Sequence, residues 1–353
     1  MEQALWYEGE LLVEYLLKNK NKPANTQYPV RLAAASIIYG LCFGYAKDLR
    51  QDKDFLQFLA SQKEFQETQK AGGNPADLIP WLSVFFQHRL KGFVELTGTF
   101  RKFLGIKLEE HQKSYSPEYQ RDVTDSLIKI TAEQNEEELA AINLQKEHIL
   151  GTNADLIGAG FNTVVVMLNW CIHYLTVMPE IQQQVQKEID EVLGSRLPKP
   201  GDRSKMPYVE ATLLETIRHS AQIPFLLPHS TIRDTELNGY HVPKDTLVFV
   251  NMYAVGRDPS VWQDADTFDP TRFFDADGKV DKSKGEDIFA FGGGKRRCLG
   301  EFVARQEAFV FFTMMFQRLR FEKVPGVNYD LNGKFGLAIE PKEYEYIVRD
   351  RAE

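Results

Sequence analysis

Apolar residues recur at three- and four-residue spacing through most of the first 180 positions, a pattern that predicts helix after helix. The clearest stretches are Glu8–Lys18, Pro29–Tyr45, Asp54–Gln69, Leu90–Ser114 and Asn143–Met178, the last led in by the acidic run Glu136–Glu138. Lys70–Pro80, rich in Gly and Pro, interrupts the series. Pro179 and Pro207 stand at natural first helical positions, so a helix is expected after each. The pattern then changes. Residues 224–228 (Pro-Phe-Leu-Leu-Pro), 237–240 (Leu-Asn-Gly-Tyr) and 247–250 (Leu-Val-Phe-Val) read as short strands joined by turns. Asp264–Gly294 is turn-rich, and helix resumes from about Glu301 to Leu319. The strand-like part is too small to stand alone. The expected fold is mainly α with a small β region, one domain over residues 1–353.

One segment has the length of a membrane span. Ala154–Met178 is largely apolar, but it contains Asp155, Asn162, Asn169 and His173 and is followed by Pro179. A central core helix is the better reading. The chain opens on amphipathic helix rather than on a signal-peptide pattern. Hydrophobic content of 43% and charged content of 26% suit a globular protein, and the net charge of -8 weighs against nucleic acid or a polybasic membrane patch. The three cysteines, Cys42, Cys171 and Cys298, are too scattered for a disulfide framework and imply a reducing environment.

Candidate chemistry concentrates in Phe291-Gly-Gly-Gly-Lys-Arg-Arg-Cys-Leu-Gly300, just ahead of the last long helix. Cys298 lies near that helix's N-terminus, where backbone N–H groups and the positive dipole end stabilise a thiolate. Glycines 292, 293, 294 and 300 let the backbone approach a flat, bulky ligand. Arg296 offers a permanent cation with a planar fork for a carboxylate, and Phe291 can shield the sulfur. These features suit a macrocycle that carries a metal and acidic side arms. A lone cysteine is otherwise a buried hydrophobe, and a Gly-rich turn before a helix otherwise cradles phosphate. Here there is no Gly-Lys-Ser/Thr and no second cysteine ligand for zinc. Phe-x-x-Gly-x-Arg-x-Cys-x-Gly fixes five positions and would arise by chance with a frequency on the order of 10⁻⁴ in a chain this long.

With that motif the sequence resembles the cytochrome P450 haem-thiolate monooxygenases, in particular the animal microsomal branch that includes aryl-hydrocarbon and steroid hydroxylases. The resemblance implies haem b (iron protoporphyrin IX), with Cys298 as iron ligand, Arg296 on a haem propionate, Phe291 over the thiolate, and Gly294 and Gly300 shaping the loop. A thiolate ligand pushes electron density onto iron and favours O–O cleavage.

Other segments extend the resemblance. Glu215 and Arg218, one helical turn apart, would otherwise be an ordinary ion pair. With Arg272 in Phe-Asp-Pro-Thr-Arg-Phe (268–273) they are implied to form a structural brace for the cysteine loop. Ala159-Gly160-Phe161-Asn162-Thr163 occupies the family's distal position. There Ala159 contacts the haem, small Gly160 leaves space for oxygen and Thr163 supplies a hydroxyl. Thr163 would otherwise bond back to a helix carbonyl. Asn162 stands where the family keeps an acid. An amide holds water but cannot ionise, so the proton route must differ or run slower.

His229 is implied as a second propionate partner, whereas His88, His111, His148, His173, His219 and His241 have no comparable context. Expected substrate contacts are Phe161, Ile223, Leu227 and Phe335, within the segments 159–163, 223–227 and 335–337, each equally readable as core packing. Lys282, Lys284, Lys295 and Arg297 form either a docking face for an acidic electron donor or a solvated basic surface.

The resemblance implies a monooxygenase that inserts one atom of O2 into a lipophilic substrate, steroid-like or planar aromatic. Electrons would come from NADPH through a flavoprotein reductase, with cytochrome b5 as a second donor. Full-length relatives sit on the cytoplasmic face of the endoplasmic reticulum membrane. The family's Trp-x-x-x-Arg motif is absent; Trp6 and Arg31 do not supply its spacing. The sequence therefore reads as N-terminally shortened by roughly a quarter of a family chain, without anchor, most of the sheet or a major substrate loop. The alternative expectation is a catalytically incompetent relative that binds haem poorly or acts through protein contacts.

Overall fold

Long helices dominate the computed structural model, which describes residues 1–45, 48–68, 79–85, 87–134, 137 and 146–353. The expected break, over residues 70–78, and the acidic run at 136 and 138, together with Asn143, lie outside these residues, as do the side chains of His88 and Lys282. In chain order the long helices are α1 (Glu2–Lys18), α2 (Gln27–Phe43), α3 (Lys53–Thr68), α4 (Gln87–Lys113), α5 (Val123–Glu133), α6 (Lys146–Gly160), α7 (Asn162–Val177), α8 (Pro179–Leu193), α9 (Pro207–Ser220) and α10 (Glu301–Arg318). The expected mainly helical fold with a small β part is what the chain adopts. Pro179 and Pro207 are the first residues of α8 and α9.

The strands are short: β1 (Pro23–Ala24), β2 (His229–Ser230), β3 (Thr235–Leu237), β4 (Tyr240–Val242), β5 (Leu247–Val248), β6 (Leu319–Lys323), β7 (Lys334–Phe335), β8 (Ile339–Glu340) and β9 (Tyr346–Asp350). β9 lies antiparallel between β1 and β6, with Leu319 opposite Asp350. The other pairings are β2 with β5, β3 with β4 and β7 with β8. Asn238 and Gly239, at φ +50° and +82°, make the tight turn of the β3–β4 hairpin. Residues 224–228 do not form the expected strand, only a single bridge from Phe225 to Asn251, because the prolines at both ends remove ladder donors. Leu319, expected to end the last helix, instead opens β6.

The core gathers around α7, buried from Val164 to Thr176 and packed by α2, α8, α9 and α10. The stretch His148–Val177 is long and apolar enough to cross a membrane, but 72% of its apolar window is buried inside the protein, as a core helix requires. On α8, Ile181, Val185, Ile189 and Leu193 form the buried stripe. Gln182 beside them accepts from the Phe321 N–H at 2.8 Å and donates to the Phe321 carbonyl at 3.0 Å, so a side chain satisfies one edge of β6.

The expected single helix over 143–178 is interrupted at Phe161, between α6 and α7. Two local features account for the break. Gly160 favours helix weakly, and the Thr163 hydroxyl donates back to the Ala159 carbonyl at 3.2 Å, an interaction that bends helices. A Cβ added at Gly160 would lie 2.7 Å from Cγ1 of Ile38 on α2. The absent side chain thus allows α2 to approach. Gly160→Ala is expected to lower stability: overpacking costs about 1–3 kcal/mol, against at most about 1 kcal/mol regained in helix propensity. Ile38→Ala in the same chain should recover most of the loss in a urea-unfolding double-mutant cycle.

Candidate functional site

The cysteine loop is held by its own backbone. The Cys298 N–H donates to the Phe291 carbonyl at 2.9 Å, and the Arg297 N–H reaches the Gly294 carbonyl at 3.3 Å. Gly292 and Gly294 adopt φ +67° and +65°, a conformation that side chains resist. Gly300 is the N-cap of α10, so Cys298 sits two residues ahead of the cap. Its thiol is exposed, whereas Cys42 and Cys171 are buried, with burial pushing both thiols up to about 12. Of the three, Cys298 alone sits in an exposed loop just ahead of a helix N-terminus.

The loop opens on a cavity of about 1390 Å³. Cys298, Arg296, Phe291 and Gly300 line it together with His229 from β2. Ala159, Gly160, Asn162 and Thr163 reach it from the break between α6 and α7, and Ile223, Leu227 and Phe335 complete the expected set. Residues up to 176 positions apart in sequence thereby share one space. The hydrogen bond from the Ile339 N–H to the Gln222 carbonyl, 2.7 Å, ties the β7–β8 hairpin to the segment bearing Ile223.

Two expected members stand elsewhere. Phe161 is fully buried and does not line the cavity; it packs edge-on to Phe58 at 6.1 Å, because the helix break turns it into the core. Gly294 shapes the loop by its positive φ and does not reach the cavity wall. Sequence reading did not single out Val123 and Leu127 of α5 or Ile38 and Leu41 of α2, which also line the space. Their four- and three-residue spacings were the available signal, but spacing alone does not distinguish a cavity wall from core.

Arg296 lines the cavity and makes no ion pair among the described residues. The basic face, by contrast, is largely engaged. Arg297 pairs with Glu301 at 2.7 Å, and Lys284 donates to the Arg272 carbonyl at 2.8 Å, leaving Lys295 exposed. Glu301 also takes Arg305 at 2.9 Å. Burial pushes the Glu301 carboxyl up, but these two guanidinium partners outweigh it and hold it below the usual range. Arg305 in turn lies 4.6 Å over the Phe291 ring.

Glu215 and Arg218 are buried, and Arg272 closes over them from a half-buried position. Arg218 grips both oxygens of Glu215 at 2.7 and 2.8 Å, and Arg272 Nε reaches Glu215 Oε1 at 3.1 Å. Arg218 also donates to the carbonyls of Gly256, Ala265 and Thr267. The trio therefore clamps the irregular 256–272 segment. Its link toward the cysteine loop is indirect, through Lys284 on the Arg272 carbonyl.

His219, the next residue on α9, bonds Tyr174 Oη at 2.8 Å and the Asp266 carbonyl at 3.0 Å. Burial lowers it from an ordinary value near 6.5 to about 4. Between those values the unfolded chain binds the extra proton, so stability is full above about pH 6.5 and falls as pH drops toward 4. The expected loss is about 3 kcal/mol. Urea midpoints across this range should show it, and His219→Gln should flatten the slope.

Known proteins resemble this chain in sequence and in fold. The family model described as Cytochrome P450 matches residues 1–348. The chain belongs to the cytochrome P450 family. It is 38% identical over 348 residues to cytochrome P450 1A1 of Limanda limanda, covering 97% of this chain and 66% of that one. To cytochrome P450 1A1 of Macaca fascicularis it is 39% identical over 343 residues, covering 96% and 67%. A zebrafish cytochrome P450 structure with abiraterone superposes with a TM-score of 0.86 at 28% identity, over all of this chain and 78% of the other. The chain thus spans about two thirds of the length of these curated relatives.

Cytochrome P450 proteins bind haem b, and the residues present fit that group. The cavity exceeds the roughly 300–1,000 Å³ of an ordinary ligand pocket, so it has room for a macrocycle and a second molecule. An exposed thiol and an unpaired guanidinium line the same space, the donor set that iron and a propionate require.

Proposed function

We propose that this chain forms one haem-thiolate domain that inserts an oxygen atom of O2 into a lipophilic substrate. The observation that carries the reading is the convergence of Cys298, Arg296, His229 and Thr163 on one large cavity. Bound there, haem iron with a thiolate ligand supplies oxygen activation, because the sulfur pushes electron density onto the metal.

The chain's own residues would divide the remaining work. Cys298 holds the iron, and Arg296 and His229 hold the propionates. Phe291 keeps water from the sulfur. Thr163 donates its own proton to the Ala159 carbonyl, which leaves the hydroxyl oxygen as an acceptor beside the cavity. Asn162 positions water but cannot release a proton, so the proton route differs from one that starts at an acid in that place, or runs slower. Ile223, Leu227 and Phe335 give the substrate an apolar seat, which suits steroid-like or planar aromatic molecules. Electrons would come from NADPH through a flavoprotein reductase, with cytochrome b5 as a second donor. Full-length relatives would work at the cytoplasmic face of the endoplasmic reticulum.

The test is the reduced, carbon monoxide-bound difference spectrum of the purified 353-residue chain. A red-shifted Soret band is expected. Its absence would favour the second reading, a relative without catalytic competence.

A further inference from the structure

A second group of ligating side chains lies away from the haem-thiolate cavity wall, at the corner between α4 and α5. His111 is in the last turn of α4, Asp122 is the N-cap of α5, and Asp125 is in its first turn. His111 Nε2 lies 3.0 Å from Asp122 Oδ2 and 3.0 Å from Asp125 Oδ1. All three side chains are at least nine-tenths buried, at 7%, 1% and 0% exposure.

The hydrogen bonding is incomplete. Asp122 spends Oδ1 on the Asp125 N–H at 3.0 Å, and its other oxygen, Oδ2, has no hydrogen-bond partner. Neither carboxylate lies along the ring N–H direction, so His111 Nε2 has none either. His111 Nε2 and Asp122 Oδ2 thus lie 3.0 Å apart, buried and without an aligned hydrogen bond, a costly arrangement unless a shared ligand beside them satisfies both. Phe43, edge-on to the imidazole at 6.0 Å, fixes the ring's orientation.

We propose that His111, Asp122 and Asp125 bind a divalent transition-metal ion. An ion about 2.1 Å from each atom would see these 3.0 Å nitrogen–oxygen edges at roughly a right angle. That is the relation of neighbouring corners of an octahedron, with water completing the shell. One imidazole with two carboxylates suits manganese or zinc. Arg121 grips Asp125 at 2.7 and 2.8 Å, but two carboxylates against one guanidinium leave the corner net negative. The ion would pin α4 to the start of α5, whose Val123 and Leu127 line the large cavity.

Elemental analysis of the purified chain after dialysis against Mn2+ or Zn2+ tests this independently of haem iron. One equivalent of manganese or zinc is expected, with a rise in Tm that a chelator reverses. Asp122→Asn should retain none and lose the Tm response. It should still fold, because asparagine keeps the Oδ1 acceptor and is as good an N-cap. His111→Gln should behave likewise. No retained metal and no Tm response in the parent chain would overturn the proposal. Equal metal in the parent and Asp122→Asn would overturn it as well.

Discussion

Cys298→Ala is expected to abolish the red-shifted Soret band of the reduced, carbon monoxide-bound chain, while Cys42→Ala and Cys171→Ala leave it in place. The asymmetry follows from position. Cys298 is exposed in a glycine loop on the large cavity, and its N–H is anchored to the Phe291 carbonyl. Cys42 and Cys171 are fully buried, and desolvation holds both as neutral thiols up to about 12. A thiol that stays protonated cannot ligate iron. Alanine at 298 also keeps the loop's backbone hydrogen bond, so the loop should persist while its ligand is lost. Retention of the band in Cys298→Ala, or its loss in Cys171→Ala with folding intact by far-ultraviolet circular dichroism, would refute the assignment.

The largest loss of stability is expected at Glu215. Removing one partner of a buried ion pair strands the other, at about 3–5 kcal/mol. Arg218 is 1% exposed, and two of its hydrogen bonds go to Glu215. Glu215→Ala would leave a desolvated guanidinium and orphan the Asp269 N–H, which donates to Glu215 Oε1 at 2.8 Å. Arg218→Lys should be nearly as damaging, since an ammonium cannot replace a fork that spans Glu215 and the carbonyls of residues 256, 265 and 267. Urea unfolding should place both variants well below the parent. Because the clamp acts on the 256–272 segment rather than directly on residues 291–300, haem affinity should fall only in proportion to the unfolded fraction. A variant that loses haem while keeping full stability would show that the link through Lys284 and Arg272 is stronger than this geometry implies.

Local chemistry carried the legible part of the protein. Prolines 179 and 207 marked helix starts, and four-residue apolar spacing marked α8. The phenylalanine–glycine–arginine–cysteine loop is contiguous, and its backbone needs and ligand types are properties of adjacent residues. Glu215 and Arg218 are one turn apart on a single helix, so their pairing also followed from periodicity.

Tertiary structure decided whatever depended on which way a residue turns and what meets it there. Phe161 was read with its neighbours as cavity lining, but a helix break one residue long sends its ring into the core. The resemblance implies that Gly160 leaves space for oxygen, whereas what the fold shows is the side chain of Ile38 on another helix filling the place of its missing Cβ. Lys284 and Arg297 read from sequence as part of a docking face or a solvated basic surface, and only the fold shows the Arg272 carbonyl and Glu301 holding them. His111 carried no sequence signal, because its carboxylates sit beyond a turn on another helix. The sequence by itself thus determined the family, the cysteine loop and the helical fold, since each rests on short-range periodicity or a contiguous motif. The shape of the cavity, the helix break and the His111 corner were decided by packing between segments far apart in the chain.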